Sequence, residues 1–376
     1  MKNIAIVIPF IRRGGGAEKI ATWLSDILSK HGYNVLVITF ANRENEYSLN
    51  CDRLNIDSNS NIRLINYFKR SLLLSKLVKT RQIECIISFT EEASAVCVLS
   101  KIFGQKAKVV LAVRNNPLSR SFFSKLFIKN FYVFADRVIA NSLDMFDILV
   151  TKIGLKKVSL INNPCDIDLN RMKSSDELEK SFLNKIEGKK VFINMGRLIP
   201  QKGQINLIRS FKKVVDKYKD AVLVIMGGGM MESELKKFTE NLNIQNSILF
   251  TGVVQNVYPY LKRSDCFVMS SFWEGFPNAI IDALSLDKTV ISTDCKTGPR
   301  ELLCNCEPGT IDYPHFCKYG ILINTLNSTN DEDNLSNLMI NSVDNNSWRD
   351  KYSCCSDRVE ILRPEIIAEK WIEILN

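Results

Sequence analysis

Residues 266–284 read CFVMSSFWEGFPNAIIDAL. Four apolar residues are followed by two serines, then by a turn-rich stretch holding Glu274, Gly275 and Pro277. From Asn278 a helix-forming run begins, and it carries a second acid, Asp282, among Ile280, Ile281, Ala283 and Leu284. A strand that passes through a short turn into a helix is the repeating unit of an α/β fold. Two carboxylates eight residues apart are out of place in a purely structural connection. They imply that the turn holds something polar.

The same rhythm extends in both directions. Upstream, short β-branched runs recur as IAIVIPF, NVLVITF, CIISF, KVVLAV, RVIAN and VSLINNP. Around the opening stretch they recur as VFINMG, AVLVIMG, SILFTG, CFVMSS, TVISTD and GILIN. Helical patterns lie between many of them. In GGAEKIATWLSDILSKHG, residues 15–32, Ala17, Ile20, Ala21, Leu24, Ile27 and Leu28 fall on one face at three- and four-residue intervals. Strands apolar on both faces, alternating with helices, form parallel sheets covered by helices. Two such sets in 376 residues predict two Rossmann-like domains with a ligand cleft at the carboxyl ends of their strands. The polar stretch NRMKSSDELEKSFLNKIEGKK, 170–190, is the expected divide. The expected domains are 1–170 and 188–360, with a C-terminal segment 361–376.

The composition, 45% hydrophobic and 24% charged, is that of a globular chain. Its longest apolar runs, such as IAIVIPFI at 4–11, fall far short of a membrane span, and that run reads as a strand rather than a signal peptide. Residues 1–187 carry 28 Lys and Arg against 18 Asp and Glu; residues 188–376 carry 22 against 23. The whole positive excess sits on the first half, which points to an anionic partner. No nucleic-acid-binding motif accompanies it. YFKRSLLLSKLVKTR (67–81) and SRSFFSKLFIKNFYVFADR (119–137) mix basic residues with Leu and Phe, as helices lying on an anionic membrane do. Sheet-covering helices would show the same pattern.

Eleven cysteines contain no CxxC pair. Cys304, Cys306 and Cys317 come nearest to a metal cluster, but their spacing differs from that of the common zinc sites. Reduced, buried thiols are the simpler expectation, so no metal and no cofactor is expected. GxGxxG and GxxxxGK[ST] are both absent, which argues against a dehydrogenase and a P-loop NTPase.

Strand-to-helix turns supply other anion sites. Gly14–Gly16 precede a helix start, and Gly15 and Gly16 let a ligand approach the backbone there. In NMGRLIPQKGQ, 194–204, Arg197 and Lys202 flank a tight turn. Pro277 and Asn278 open a third helix.

Taken in order, GGGAEK, GRLIPQKG, VLVIMGGG, FTG and EGFPNAIID resemble the retaining glycosyltransferases of family 4, over nearly the whole chain. TDCKTGPREL, 293–302, resembles in particular the bacterial enzymes that build O-antigen, capsule or glycoprotein oligosaccharides on a polyprenyl diphosphate. The resemblance implies the α/β GT-B architecture and a nucleotide-sugar donor, with UDP the expected nucleotide. It places Glu274 beside the donor sugar and the second acid of an E-x7-E motif on the ribose hydroxyls. It makes Arg197 and Lys202 the diphosphate-binding pair, and it adds Gly15, Gly16, Phe276, Pro277 and Asn278 to the donor site. Asp282 stands where the family has Glu, one methylene shorter. The helix N-terminus between the two acids would face the diphosphate, with Asp282 about 7 Å along its axis.

Where many relatives place a histidine after the strand KVVLAV, this chain has Arg114-Asn115-Asn116-Pro117. Arg114 or Asn115 is expected to orient the sugar or the acceptor. With only His31 and His315 in the chain, base catalysis by histidine is not expected. Asp166-Ile167-Asp168 is formally a DxD motif but reads as structural. The expected activity is therefore metal-independent transfer of a hexose or N-acetylhexosamine to a polyprenyl-diphosphate-linked saccharide in surface-polysaccharide synthesis, N-acetylgalactosaminyl or galactosyl transfer being the narrower expectation. The expected location is the cytoplasm, peripheral to the inner face of the membrane. A UDP-sugar epimerase of related fold would need acids and histidines that are missing. A non-catalytic adaptor is disfavoured by the intact Arg197, Lys202 and Glu274. In RPEIIAEKWIEIL, 363–375, Ile366, Ile367, Trp371 and Ile374 are expected to share a face, and the resemblance implies that this helix returns to the first domain.

Overall fold

The computed structural model describes residues 2–58, 60–117, 128–305, 309–344 and 346–376. Cys306 and residues 119–127 of the stretch 119–137, expected to lie on a membrane, are outside the described residues. The chain forms two compact units, Met1–Asn163 with Glu365–Asn376, and Pro164–Pro364. The polar stretch 170–190 belongs to the second unit, where it forms the helices Ile167–Lys173 and Lys180–Ile186.

The first unit holds a seven-stranded sheet: β1 (Asn3–Val7), β2 (Asn34–Thr39), β3 (Asp52–Asn55), β4 (Cys85–Ser88), β5 (Lys108–Val113), β6 (Arg137–Ala140) and β7 (Val158–Leu160). Their order is β3-β2-β1-β4-β5-β6-β7, and every pair is parallel. Ile4, Ala5, Ile6 and Val7 are buried on both faces of the sheet, which is why the run reads as continuously apolar. Three helices, α1 (Gly16–Lys30), α2 (Arg63–Thr80) and α3 (Glu91–Ile102), cover it. α1 buries Ile20, Ala21, Leu24 and Leu28 of its expected apolar face.

The last helix, Pro364–Leu375, belongs with this unit from Glu365 onward. Trp371 is fully buried, its ring 6.1 Å from that of Phe89. Ile367 points inward with it, whereas Ile366 is exposed and so departs from the expected shared face. Nζ of Lys2 and of Lys108 donate to the carbonyls of Leu375 and Ile374, satisfying the end of the helix.

The second unit holds β8 (Lys190–Met195), β9 (Ala221–Met226), β10 (Ile248–Gly252), β11 (Cys266–Met269), β12 (Thr289–Thr293), β13 (His315–Phe316) and β14 (Ile321–Ile323). The order is β10-β9-β8-β11-β12-β14-β13, and only β13 is antiparallel. The helix Gln204–Lys217 lays Leu207, Ile208, Phe211 and Val214 on the sheet, and Phe211 meets Phe192 edge-on with ring centres 5.8 Å apart. In each sheet the strand order reverses beside the first strand, between β1 and β4 and between β8 and β11. Loops leaving adjacent strands at such a reversal diverge and open a crevice at the carboxyl edge.

Candidate active site

In the second unit the loops that leave β8 and β11, on either side of the reversal, are tied to each other at the carboxyl edge. The loop after β8 runs through Arg197 to Lys202, which ends a short 3-10 turn. The loop after β11 runs from Ser270 to Pro277 and enters the helix Asn278–Leu284. They are joined by Phe272 N donating to the carbonyl of Gln201 (2.9 Å), Gln201 Nε2 to that of Trp273 (2.6 Å) and Ser270 Oγ to that of Lys202 (2.8 Å). Gly203 sits at φ +64, and a Cβ there would lie 2.3 Å from the carbonyl oxygen of Ser270. Only glycine permits both that backbone conformation and that approach.

Glu274 is buried, and its Oε1 accepts hydrogen bonds from Lys202 Nζ at 2.5 Å and Ser271 Oγ at 2.6 Å. Polar atoms taken out of water need such hydrogen-bond partners. Its backbone is fixed from the other side: Glu274 N donates to Lys296 O at 2.9 Å, and Thr297 Oγ1 donates to the carbonyls of Glu274 and Gly275 at 3.0 and 2.7 Å. Arg197 is exposed at the end of β8. Its carbonyl accepts from the buried Gln204 amide at 3.1 Å, and among the described residues no side chain pairs with its guanidinium. Gly227 and Gly229 pack their backbones against Gly196 and Leu198, which leaves no room for side chains behind the Arg197 loop.

Phe276 and Pro277 are buried, and Asn278 begins the following helix, whose N-terminus no side chain caps. One turn further, Asp282 is also buried and accepts a hydrogen bond from the Tyr258 hydroxyl at 3.0 Å. The structure therefore brings Lys202 and Glu274 into direct contact, puts Arg197 at the start of the same loop, and places Asp282 on the helix that Glu274's loop enters.

Gly15, Gly16, Arg114 and Asn115 belong to the first unit. Gly15 is the N-cap of α1 and has no side chain to cap with. The Glu18 carboxylate folds back so closely that a Cβ on Gly15 would overlap it. The glycine turn is braced by Arg13, whose backbone N donates to Asn45 O at 2.8 Å and whose Nε donates to Glu46 O at 3.2 Å. Arg114 follows β5. Its Nη1 donates to Asn163 Oδ1 at 2.6 Å, and its guanidinium lies 4.9 Å from the ring centre of Phe89. Burial among these groups lowers its pKa to about 9.

Sequence reasoning missed several polar groups. Tyr258 and Ser271 hold the two acids, but neither has a spacing that announces it. Asn116, Asn141, Asn162 and Asn163 are buried just beyond β5, β6 and β7, at the carboxyl edge of the first sheet. Their signal was available: each follows an apolar run that needs no amide. Asp166 caps the helix Ile167–Lys173 through Leu169 N (2.9 Å), and Asp168 pairs with Arg363 (2.9 Å), so the DxD triplet is occupied structurally. Among the described residues no helix is long and apolar enough to cross a membrane.

Comparison with known proteins accounts for both units. Residues 14–169 match the family described as Glycosyltransferase Family 4, and residues 175–316 match Glycosyl transferases group 1. An uncharacterized glycosyltransferase of Methanocaldococcus jannaschii is 38% identical over 81% of this chain and 82% of its own. The N-acetylgalactosamine-N,N'-diacetylbacillosaminyl-diphospho-undecaprenol 4-alpha-N-acetylgalactosaminyltransferase of Campylobacter jejuni is 26% identical over 83% of this chain and 86% of its own. The E. coli UDP-Gal:alpha-D-GlcNAc-diphosphoundecaprenol alpha-1,3-galactosyltransferase matches 34% of each chain at 32% identity. Among solved structures, Anabaena HepE in complex with UDP-glucose superposes with a TM-score of 0.79 over 100% of this chain and 99% of its own, at 18% identity. The fold is α/β GT-B.

Proposed function

The chain belongs to the glycosyltransferases of family 4 and group 1, and from that premise we propose that it is a retaining hexosyltransferase that uses a UDP-sugar. The observation that carries this reading is the Lys202–Glu274 contact at the β8/β11 reversal, with the exposed Arg197 beside it in sequence. Two cations and a buried acid on one pair of loops match the needs of a diphosphate joined to a sugar. As the C1–O bond of the donor breaks, negative charge grows on the departing β-phosphate, and Arg197 and Lys202 stabilise that charge more than the ground state. Glu274, held by Ser271, accepts hydrogen bonds from sugar hydroxyls. Asp282, oriented by Tyr258, does the same for the ribose. Phe276, Pro277 and Asn278 shape the donor site between the two acids, and Gly15 and Gly16 contribute backbone to donor binding.

The acceptor oxygen bonds to C1 on the face that the diphosphate leaves, and its proton passes to the leaving phosphate oxygen. No histidine base is needed, and no added divalent cation is needed while Arg197 and Lys202 carry the charge. Arg114 and Asn115 orient the sugar or the acceptor. The acceptor we propose is a polyprenyl-diphosphate-linked saccharide in surface-polysaccharide assembly. The named acceptors of the Campylobacter and E. coli relatives support that class, and their names also support N-acetylgalactosaminyl or galactosyl transfer.

Peripheral attachment to the cytoplasmic face of the membrane would bring the enzyme to such an acceptor. α2 supports it: Ile62 before its start and Leu64 and Phe68 within it are exposed, beside the exposed Lys69, Lys76 and Lys79.

The test is a donor screen with a synthetic polyprenyl-diphosphate disaccharide, without added Mg²⁺ or Mn²⁺, reading product anomer by NMR. Transfer from a UDP-sugar with retained α configuration is expected. Inverted product, or a strict need for added manganese, would overturn the reading.

A further inference from the structure

Away from these loops, the second unit gathers three soft ligands that transfer does not use. The helix Pro299–Cys304 ends on Cys304, and Asn305 turns the chain away at φ +51. β13 then pairs antiparallel with β14, and Cys317 N donates to Gly320 O at 2.9 Å to close the hairpin. His315 and Cys317 are two positions apart along an extended segment, so their side chains leave the same face. That face meets the end of the helix, tied by Tyr319 N donating to Leu303 O at 3.1 Å. The sulfurs of Cys304 and Cys317 and a ring nitrogen of His315 all lie within 4.8 Å of one another. Both cysteines are buried and His315 is half-buried.

We propose that Cys304, His315 and Cys317 bind one zinc ion. Zn–S bonds near 2.3 Å and a Zn–N bond near 2.0–2.1 Å set tetrahedral ligand atoms about 3.5 Å apart, so the two sulfurs, which stand in bonding contact, separate to admit the ion while the ring of His315 lies within reach of both. Two thiolates and an imidazole are a borderline-soft set suited to Zn²⁺ and poor for Mg²⁺ or Ca²⁺. The fourth position is not assigned to a residue. Binding displaces two thiol protons to solvent and leaves the two thiolates neutralising the ion.

The competing arrangement uses the same sulfurs, which stand in bonding contact with Cα atoms 4.9 Å apart, as a disulfide. It gives His315 no part. The remaining described cysteines, including the exposed Cys354, form no disulfide.

The zinc site is structural and acts on the transfer site through the chain. The helix that it anchors begins one residue after Gly298, and Lys296 and Thr297 hold the backbone of Glu274. A Cβ at Gly298 would lie 2.7 Å from Pro277 Cδ, so this segment and the Glu274 loop cannot move independently.

The experiment uses the full chain purified without chelator. Zinc is measured by plasma mass spectrometry, thiol state by intact mass under denaturing, non-reducing conditions, and cobalt-substituted protein by its sulfur-to-metal charge-transfer absorption. About one zinc per chain, a fully reduced mass, and loss of most zinc and of the cobalt band in His315→Ala are expected. His315→Ala leaves both sulfurs in place, so a disulfide would be indifferent to it. If Cys304→Ser does not fold, the partly exposed His315→Ala still decides. Protein without zinc, whether its sulfurs are joined or free, overturns the proposal. So does zinc retained equally by wild type and His315→Ala. Because none of these readouts uses transfer, failure here leaves the transferase reading standing.

Discussion

Lys202 Nζ and Glu274 Oε1 stand 2.5 Å apart although 72 residues separate them in sequence. The cation and the acid assigned to opposite ends of the donor's glycosidic bond thus hold each other before any donor arrives. Glu274→Ala and Lys202→Ala are each expected to lower kcat by about 10²–10³. Each also leaves a largely buried charge without its partner, so each should cost roughly 3–5 kcal/mol of stability. Paired in one double mutant, their stability costs should fall short of the sum. Saturating-donor kinetics and urea unfolding of all three variants measure this. Wild-type turnover in Lys202→Ala would remove Lys202 from the site.

Arg197 should separate function from folding. Its side chain is exposed and, among the described residues, unpartnered, so Arg197→Ala is expected to change stability by no more than about 0.5 kcal/mol. Transfer should still fall about 100-fold, with partial recovery in Arg197→Lys because a point charge replaces a planar fork. Equal loss of stability and activity would contradict the assignment.

The ribose role proposed for Asp282 predicts an asymmetric response. Asp282→Glu restores the longer side chain and should keep or improve donor affinity. Tyr258→Phe removes the hydrogen bond on Oδ1 and should cost about 1 kcal/mol, roughly fivefold in donor KM. Donor KM titrations of the two variants, with kcat as the control, distinguish this from a packing role.

Acid should weaken the glycine turn of the first unit. The hydrogen bond from Arg53 holds the Glu46 carboxyl below its usual range, against the upward push of burial. A depressed folded pKa gives stability that is fully present above the unfolded value near 4.3 and is lost as pH falls through the folded value. Urea midpoints should therefore fall between pH 6 and pH 3.5, and less steeply in Glu46→Gln. An unchanged slope in that variant would show that Glu46 does not carry the effect.

Thiol reactivity should follow burial. Desolvation pushes Cys85, Cys266 and Cys355 up to about 12, so they hold almost no thiolate at pH 8. Brief alkylation of the native protein followed by peptide mapping should modify Cys354, the exposed thiol, well before those three. Early labelling of Cys266, in the middle of its sheet, would indicate opening of the second unit.

Twelve of the fourteen strands were legible because parallel strands buried on both faces leave unbroken apolar runs. The two that were not, β3 and β13, lie at sheet edges. β3 reads DRLN, and the two residues of β13, His315 and Phe316, are half-buried and exposed, so neither carries an apolar run, whereas the other two edge strands, β7 and β10, do. The residues Arg197, Lys202 and Glu274 were legible as motif positions, but the contact between Lys202 and Glu274 was not, since it depends on β8 lying beside β11. Cys304, His315 and Cys317 were each visible. Their meeting was hidden because it depends on the unread strand β13.

The position of β11 beside β8 also sets a sequence of events during synthesis. A growing chain can lay down β8, β9 and β10 as soon as they emerge, yet the acid follows the lysine by 72 residues. At 5–20 residues per second that interval lasts roughly 4–14 s. Throughout it one flank of β8 is an unpaired, apolar edge, open to the nearest compatible strand from another ribosome. The half-made second unit is therefore the form in greatest need of chaperone cover, and codon changes that slow translation across 204–266 should raise aggregation without altering the finished enzyme.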